Sequence, residues 1–208
     1  MSRRAPLARM IADRRGATAA EFALVLPILL LFLFAIIDIG RLFYDFNRAE
    51  KATQMGARFA IVTDTIPSQI AGADYVGVVA CPNSSGGYQA CTKGGFITDP
   101  NALATVTCTS TGCSPSSTTM NAGAFQRLGD RMRLFDPAIA DSNIILSFRG
   151  SGLGYAGDPT GMDVIPLVTV ELRNLTFKSV ALLTLVSLPL PSARTTLSAE
   201  STAGTQSN

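Results

Sequence analysis

The stretch FALVLPILLLFLFAII, residues 22–37, decides the architecture because it contains no charged side chain. As a helix it rises roughly 24 Å, slightly less than the hydrocarbon thickness of about 30 Å in a bilayer. The small residues at positions 17–20, together with Ile39 and Gly40, lengthen the helix enough to span. Its Leu, Ile, Val and Phe side chains contribute about −4 to −8 kcal/mol to insertion. The sequence therefore predicts a transmembrane helix over residues 17–40.

Basic residues cluster on the amino-terminal side of this helix. Residues 1–16 hold five arginines and one aspartate, a balance of +4, so the rest of the chain carries −2 of the total of +2. Arginines at a membrane flank favour a cytoplasmic amino terminus and an extracytoplasmic remainder, and they do not suggest a nucleic-acid partner. The alternative is a cleaved secretory signal peptide. It is disfavoured because a helical pattern without an Ala-x-Ala site follows Ile37.

The helical pattern continues beyond the apolar run to about Thr63. Apolar or small residues recur every three or four positions, as in a helix that packs along one face. They are Leu42, Phe46, Ala49, Thr53, Gly56 and Ala60. Two acid–base pairs one turn apart, Asp38 with Arg41 and Asp45 with Arg48, support the helix. Pro27 is expected to bend it. Residues 41–63 are therefore predicted to be an extracytoplasmic continuation of the transmembrane helix.

Three segments of this region together resemble the TadE-like family, the TadE and TadF minor pilins or pseudopilins of the Tad/Flp tight-adherence pilus. They are residues 14–27 (RRGATAAEFALVLP), residues 38–44 (DIGRLFY) and the dipeptide Ala57-Arg58. Their ordered combination is far more specific than a single short motif. The resemblance implies a structural subunit of a type IVc-like pilus rather than an enzyme. It leaves the choice between TadE and TadF open.

The same resemblance implies how the chain is processed. A prepilin peptidase would cut after Gly16 and remove residues 1–16 as a basic leader, which makes Ala17 the new amino terminus. Glu21 then stands fifth, where the wider pilin superfamily holds a glutamate used in assembly. A small residue before the cut admits the backbone to a protease, and the arginines hold that bond at the cytoplasmic face. The alternatives are a plain leader-to-helix junction at Gly16 and a solvated carboxylate at Glu21.

Location and partners also follow from the resemblance. It implies a single-pass protein of the bacterial inner membrane, retained there or incorporated into the pilus. The implied partners are the prepilin peptidase, other Tad minor pilins, the major Flp pilin and the Tad platform proteins. The alternative function is a membrane-anchored extracytoplasmic binding or sensor module that is not assembled into a fibre.

The residue types give little support to a catalytic or metal site. The chain has no histidine, which removes the commonest general base and a favoured zinc ligand. Its four cysteines form two local pairs, Cys81 with Cys91 and Cys108 with Cys113, and neither has the Cys-x-x-Cys spacing of a zinc knuckle. In an exported domain such pairs favour disulfides over free thiols. Sequential pairing is the simplest of the three connectivities.

A glycine-rich loop is expected at residues 150–161. It lacks the complete dinucleotide fingerprint and any Gly-Lys-Ser/Thr, so a hairpin turn is the simpler explanation. Asp158 and Asp163 in the same region could touch a cation, but solvated acids in an exposed loop are the favoured interpretation. We therefore assign no cofactor and no metal.

Residues 64–199 have the pattern of one α+β domain. Short apolar or alternating runs predict strands at residues 75–80, 104–108, 143–149 and 164–177, and amphipathic spacing predicts a helix at residues 124–135. The resemblance to the TadE-like family implies a last strand at residues 193–199. Residues 84–87 and 110–117 are predicted loop tips. Residues 180–190 are either a buried strand or a subunit contact, and residues 200–208 are a frayed tail. The predicted fold is a long helix whose outer half packs on a small antiparallel sheet with disulfide-tied loops.

Overall fold

The computed structural model of the protein describes residues 16–159, 161–179 and 187–199. The expected leader up to residue 15 and the expected tail at residues 200–208 lie outside these ranges, as does most of the apolar stretch at residues 180–190. The chain divides into two compact units. One holds the described parts of residues 1–44 and 178–188, and the other holds those of residues 45–177 and 189–208.

Two α-helices, one short 3-10 helix at Asp141–Asn143 and ten strands make up the regular structure of the described residues. Helix α1 is Ala17–Ala60 and helix α2 is Ala122–Arg133. The strands are β1 Val79–Pro82, β2 Tyr88–Ala90, β3 Phe96–Ile97, β4 Val106–Thr109, β5 Gly112–Ser114, β6 Ile144–Tyr155, β7 Val164–Leu172, β8 Thr176–Lys178, β9 Ser187–Pro189 and β10 Ala193–Ser198. The long amino-terminal helix followed by antiparallel strands confirms the predicted α+β class.

The main sheet is antiparallel and belongs to the larger unit. Its strand order is β10-β7-β6-β4-β5, and β3 pairs with the end of β6. Strands β1 and β2 form a separate hairpin, and β8 and β9 pair with each other. Strand β7 alternates strictly between buried and half-buried residues. One face of the sheet is therefore turned to the core, which is why the sequence of β7 alternates with period two.

The core of the larger unit lies between the inner face of the sheet and the two helices. Leu146, Phe148, Val168 and Val170 from the sheet are all buried. They share one hydrophobic cluster with residues of α2 and of the outer half of α1, residues 45–60. Of the predicted packing positions on α1, Ala49, Thr53, Gly56 and Ala60 are buried, and Leu42 and Phe46 are half-buried. The predicted seam is therefore present, and it is deepest from Ala49 onward.

Helix α2 follows the amphipathic pattern that predicted it. The Asn121 side chain caps its first turn by accepting from the backbone N–H of Ala124 at 3.0 Å. Phe125, Leu128 and Met132 are buried on one face at helical spacing. The helix begins two residues before the predicted start and ends before Pro137, because the cap rather than the first apolar residue sets its first turn.

The prediction of a glycine-rich loop over residues 150–161 was wrong in its first half. Strand β6 continues to Tyr155 and pairs with β7 across a register shift between Gly150 and Gly154. A Cβ at Gly150 would overlap the carbonyl oxygen of Pro100, and one at Gly154 would overlap that of Asp163. These glycines permit close backbone approach within a bulged strand, and only the residues after Tyr155 form the turn.

Several predicted boundaries also shift. Helix α1 ends at Ala60 rather than Thr63 and continues through Pro27. The strand predicted at residues 75–80 is a turn up to Val78, with Gly77 at φ +83°, and β1 begins at Val79. Residues 110–117, predicted as a loop tip, contain β5, which pairs with β4. The run at residues 164–177 splits into β7 and β8, because Asn174 has φ +58° and cannot continue the strand.

Candidate processing and assembly site

The expected processing site lies at the start of helix α1. Gly16 is the first described residue; it is exposed, and no atom lies within 4 Å of the position where its Cβ would be. The helix begins at Ala17, and Glu21 is exposed one turn later. Four residues of helix separate Ala17 from Glu21 by about 6 Å along the axis. The sequence-predicted residues thus lie within one turn of the helix start, and Gly16 and Glu21 are exposed there.

The helix then runs through an apolar surface without a charge until Asp38. All the large apolar side chains from Phe22 to Ile37 are exposed. Among the described residues, α1 is the one helix long and apolar enough to cross a membrane, with mean hydropathy 2.9 in its most apolar window. An exposed apolar surface of this length is stable in lipid and not in water. It is a candidate single membrane span.

Asp38 lies where the apolar surface ends, and it is bonded to Arg41 and Ser179 of the same compact unit. Its carboxylate accepts from the guanidinium of Arg41 at 3.5 Å, which confirms the predicted i,i+3 pair. It also accepts from the hydroxyl of Ser179 at 2.5 Å. The Asp38 side chain is 13% exposed, and Ser179 is buried. No pattern in the sequence pointed to Ser179, because it lies 141 residues from Asp38 along the chain.

The outer half of α1 is held to the domain by polar contacts as well as by apolar packing. Arg48 donates to the carbonyl oxygen of Phe135 at 3.1 Å and forms an ion pair with Asp136 at 3.3 Å. Thr53 and Thr195 share a hydroxyl–hydroxyl hydrogen bond of 3.0 Å. The expectation that Arg48 serves a local pair with Asp45 therefore missed its contacts with the segment after α2. Those contacts fix one face of α1 toward the domain.

Close packing of small residues brings α1 and α2 together. A Cβ placed on Gly56 would lie 2.9 Å from both Cγ and Sδ of Met132, which is fully buried. Glycine at this position therefore allows the Met132 side chain to rest on the helix backbone. The predicted seam residue has a specific partner that the sequence alone did not identify.

Both cysteine pairs are disulfides in the structure. Cys81 is bonded to Cys91, and Cys108 to Cys113. The first bridge links β1 to the residue after β2, and the second lies across the β4–β5 hairpin, where the two cysteines are directly opposite. All four are buried or half-buried. The bridges tie strands of short hairpins that have few apolar residues of their own.

Asp163 organises the turn after β6. Its carboxylate accepts from the backbone N–H groups of Tyr75 at 2.7 Å, Gly157 at 2.8 Å and Asp158 at 3.0 Å. Burial raises the pKa of the Tyr75 phenol, and the nearby Asp163 carboxylate raises it further. Asp163, Gly157 and Asp158 also border an open pocket of about 480 Å³ that is lined in addition by Asp74 and Lys93. The buried Asp163 thus has a structural role, and the expectation of a solvated acid at this position was wrong.

Comparison with protein families identifies the amino-terminal part of the chain. Residues 16–58 match the family model described as TadE-like protein. This segment is TadE-like, which confirms the resemblance seen in the sequence. The match begins at Gly16, includes Glu21, Asp38 and Arg48, and ends two residues before α1 does. TadE-like proteins are a family of structural proteins associated with the Tad pilus, so the segment associates the chain with that pilus. No curated protein and no solved structure matches the chain.

Proposed function

We propose that this protein is a minor pilin or pseudopilin of a Tad/Flp pilus, made as a precursor and cleaved between Gly16 and Ala17. The observation that carries the proposal is a coincidence of three boundaries. The TadE-like match starts at Gly16, helix α1 starts at Ala17, and the arginine-rich segment stops at Arg15. A peptidase on the cytoplasmic side would therefore meet a small, exposed residue next to a basic flank.

The apolar surface of α1 supports a role in assembly. After cleavage the span would remain as an anchor, and its exposed Leu, Ile, Val and Phe side chains could pack against the helices of other pilins. The outer half of α1 is held within the folded domain. The chain can thus present a continuous helix to a bundle while the domain stays in contact with other minor pilins, the major pilin or the platform proteins.

Glu21 supplies the charge for this assembly step. It is the one ionisable residue between Gly16 and Asp38. Cleavage would create an ammonium group at Ala17, which Glu21 of a neighbouring helix could neutralise in the low dielectric of the bundle. Burying either charge alone costs several kcal/mol, so the pair would set the stagger between subunits more than it adds net stability.

The processing step is tested by the mass of the membrane-extracted protein. We expect a chain that begins at Ala17, and Gly16→Leu should block the cut because a large residue obstructs access to the bond. Gly40→Leu is the matched control, since Gly40 lies in the same helix and also has no atom within 4 Å of a Cβ position. An intact leader in the wild-type protein would favour the membrane-anchored binding or sensor module instead.

The assembly role is tested by Glu21→Gln as the sole copy in the cell. We expect normal insertion and cleavage, with loss of co-purification with the major pilin and loss of pili. Glu50→Gln, which removes an exposed carboxylate from the outer half of the same helix, should leave pili intact. Normal piliation in the Glu21→Gln strain would defeat the charge-pair mechanism. Failed cleavage would move the role of Glu21 to recognition by the peptidase.

A further inference from the structure

Asp38 stands at the level where a membrane span of α1 would end. Taking the small residues before Phe22 into account, about 20 helical residues precede it, which is the length that crosses the hydrocarbon layer. The next six residues rise about 9 Å, comparable to the headgroup layer on one side of a bilayer. Within these six, Ile39, Phe43 and Tyr44 are more than half exposed, and the side chain of Arg41 is 45% exposed.

A second segment of the chain is fixed at this level. The Ser179 hydroxyl donates to the Asp38 carboxylate, and the two residues belong to the same compact unit. Lys178 is exposed next to Ser179, and Leu188, on the paired strand β9, is 44% exposed. No charged residue occurs from Ser179 to Ala193. The segment that Asp38 holds is therefore bordered by one cation and is otherwise neutral and largely apolar.

These residues have the chemistry of a membrane interface. Aromatic side chains such as Phe43 and Tyr44 are favoured at the headgroup level, and Lys and Arg place their charge on lipid phosphates while their stems stay in apolar surroundings. Leu188 and Lys178 belong to the same compact unit as the exposed apolar surface of α1, and Ser179 is bonded to the residue at which that surface ends. This shared unit points to lipid as the occupant of the surface around Lys178 and Leu188.

We propose that Lys178, Ser179 and Leu188 lie in the headgroup layer at the Asp38 end of the span. Leu188 contacts lipid, Lys178 and Arg41 contact lipid phosphates, and the Asp38–Ser179 hydrogen bond holds the segment there. The carboxyl-terminal part of the chain thus provides a second membrane contact beside the helix. The proposal rests on α1 being a membrane span, but it does not require cleavage, Glu21 or assembly into a pilus.

The test uses the full-length protein in bilayers of phosphatidylethanolamine and phosphatidylglycerol. The native cysteines are all in disulfides, so Leu188→Cys supplies one reactive thiol for a fluorescent label. Nitroxide lipids labelled at the headgroup should quench this fluorophore at least twofold more than deep acyl-chain nitroxides do. Leu30→Cys is the mid-span reference and should show the opposite order. Quenching at position 188 by aqueous iodide alone would overturn the proposal, whereas failure at position 30 would overturn the span itself.

Two substitutions test the residues that hold the segment. Ser179→Ala should reduce headgroup quenching at position 188 by about half or more, because it removes the bond to Asp38. Ser187→Ala is the matched control, since Ser187 is exposed in the same segment, and it should change nothing. Lys178→Gln should lower the quenching where phosphatidylglycerol is present. Equal quenching in the Ser179 and Ser187 variants would exclude the Asp38 anchor, and no effect of Lys178→Gln would exclude the phosphate contact. Pili are not measured, so this proposal and the pilin proposal can fail separately.

Discussion

Residues 17–44 and residues 45–60 belong to one helix but differ in what their side chains contact. The first part exposes large apolar side chains and has no charge from Phe22 to Ile37. The second part buries small residues such as Ala49, Ala52 and Gly56 within the folded domain. Large apolar side chains give a helix a wide surface for contact with lipid, whereas small side chains let another helix or a sheet approach its backbone closely. One helix thus carries two surfaces in succession, an exposed apolar surface that is a candidate membrane span and then a surface packed into the core of the domain.

The two regions differ most in how they are stabilised, because the domain that contains residues 45–60 is cross-linked by disulfides. Loss of a disulfide should therefore have the largest effect on the free energy of unfolding. Replacing Cys81 and Cys91, or Cys108 and Cys113, by serine should lower the free energy of unfolding of the domain by about 2–3 kcal/mol per bridge. The longer loop closed by Cys81 and Cys91 should cost slightly more. Chemical denaturation measures the loss, and nonreducing peptide mapping of the native protein should recover both bridges.

The apolar part of α1, residues 17–44, provides the control for this prediction. Carbonate extraction should leave both double variants in the membrane, because insertion depends on the apolar surface of α1 alone. Four alkylatable thiols in the native wild-type protein, or release of a variant from the membrane, would contradict the division of labour between the two regions.

The next effect compares two glycines of the same helix. Gly56→Leu should destabilise the domain by about 1–3 kcal/mol, because a side chain there collides with the buried Met132 and forces repacking. Gly40→Leu should leave the unfolding free energy of the domain unchanged, since no atom lies within 4 Å of its Cβ position. Denaturation monitored by circular dichroism compares the two. If both substitutions lowered the unfolding free energy equally, residues 17–44 and residues 45–60 would not differ in packing as described.

Loss of an ion pair of α1 should have a smaller effect on the free energy of unfolding. Arg48→Met should cost about 1 kcal/mol, since the buried Asp136 loses its charged partner while water still reaches part of the site. Arg41→Met removes one partner of Asp38 in the other unit and should not change domain unfolding. The same denaturation assay measures both, with a second series at high salt, where the Arg48 effect should shrink only partly. A null result for Arg48→Met would show that apolar packing alone fixes the outer half of α1.

The smallest expected effect is on the pH dependence of the free energy of unfolding. The pKa of Tyr75 is raised in the folded domain, so the folded state favours the protonated phenol. Its contribution to stability is complete below the ordinary tyrosine pKa of about 10 and is lost as the pH rises past that value toward the raised pKa. Tyr75→Phe should therefore flatten the fall in unfolding free energy between about pH 9 and pH 11. Denaturation at a series of pH values across this range measures the slope, and an unchanged slope in the Tyr75→Phe variant would contradict the prediction.

The sequence predicted most of helix α1 and the class of the fold. An uncharged run of sixteen residues has one stable solution in a bilayer, and a spacing of three and four residues allows one packed face, so local patterns suffice for both. The alternation of apolar residues in β7 and the amphipathic spacing of α2 could also be recognised in the sequence. The cysteine spacing favoured the two bridges that the structure contains. The TadE-like segment was recognisable because its residues are local and ordered.

The glycines and the long-range polar partners were decided by the tertiary structure. Gly150 and Gly154 have the composition of a loop, but the close approach of Pro100 and Asp163 makes them part of a bulged strand. The sequence around Asp163 suggested a solvated acid, but in the fold its carboxylate accepts from three backbone N–H groups, one of them on Tyr75, 88 residues away.

Sequence by itself thus determined the membrane-type helix, its basic flank and the candidate processing residues Gly16, Ala17 and Glu21, because each depends on composition and order along a short stretch. Only the tertiary structure decided that Ser179 reaches Asp38, that Arg48 reaches Asp136 and that Met132 rests on Gly56. These contacts join residues that are 76 to 141 positions apart, and spacing along the chain carries no information about which distant groups the fold brings within a few ångströms.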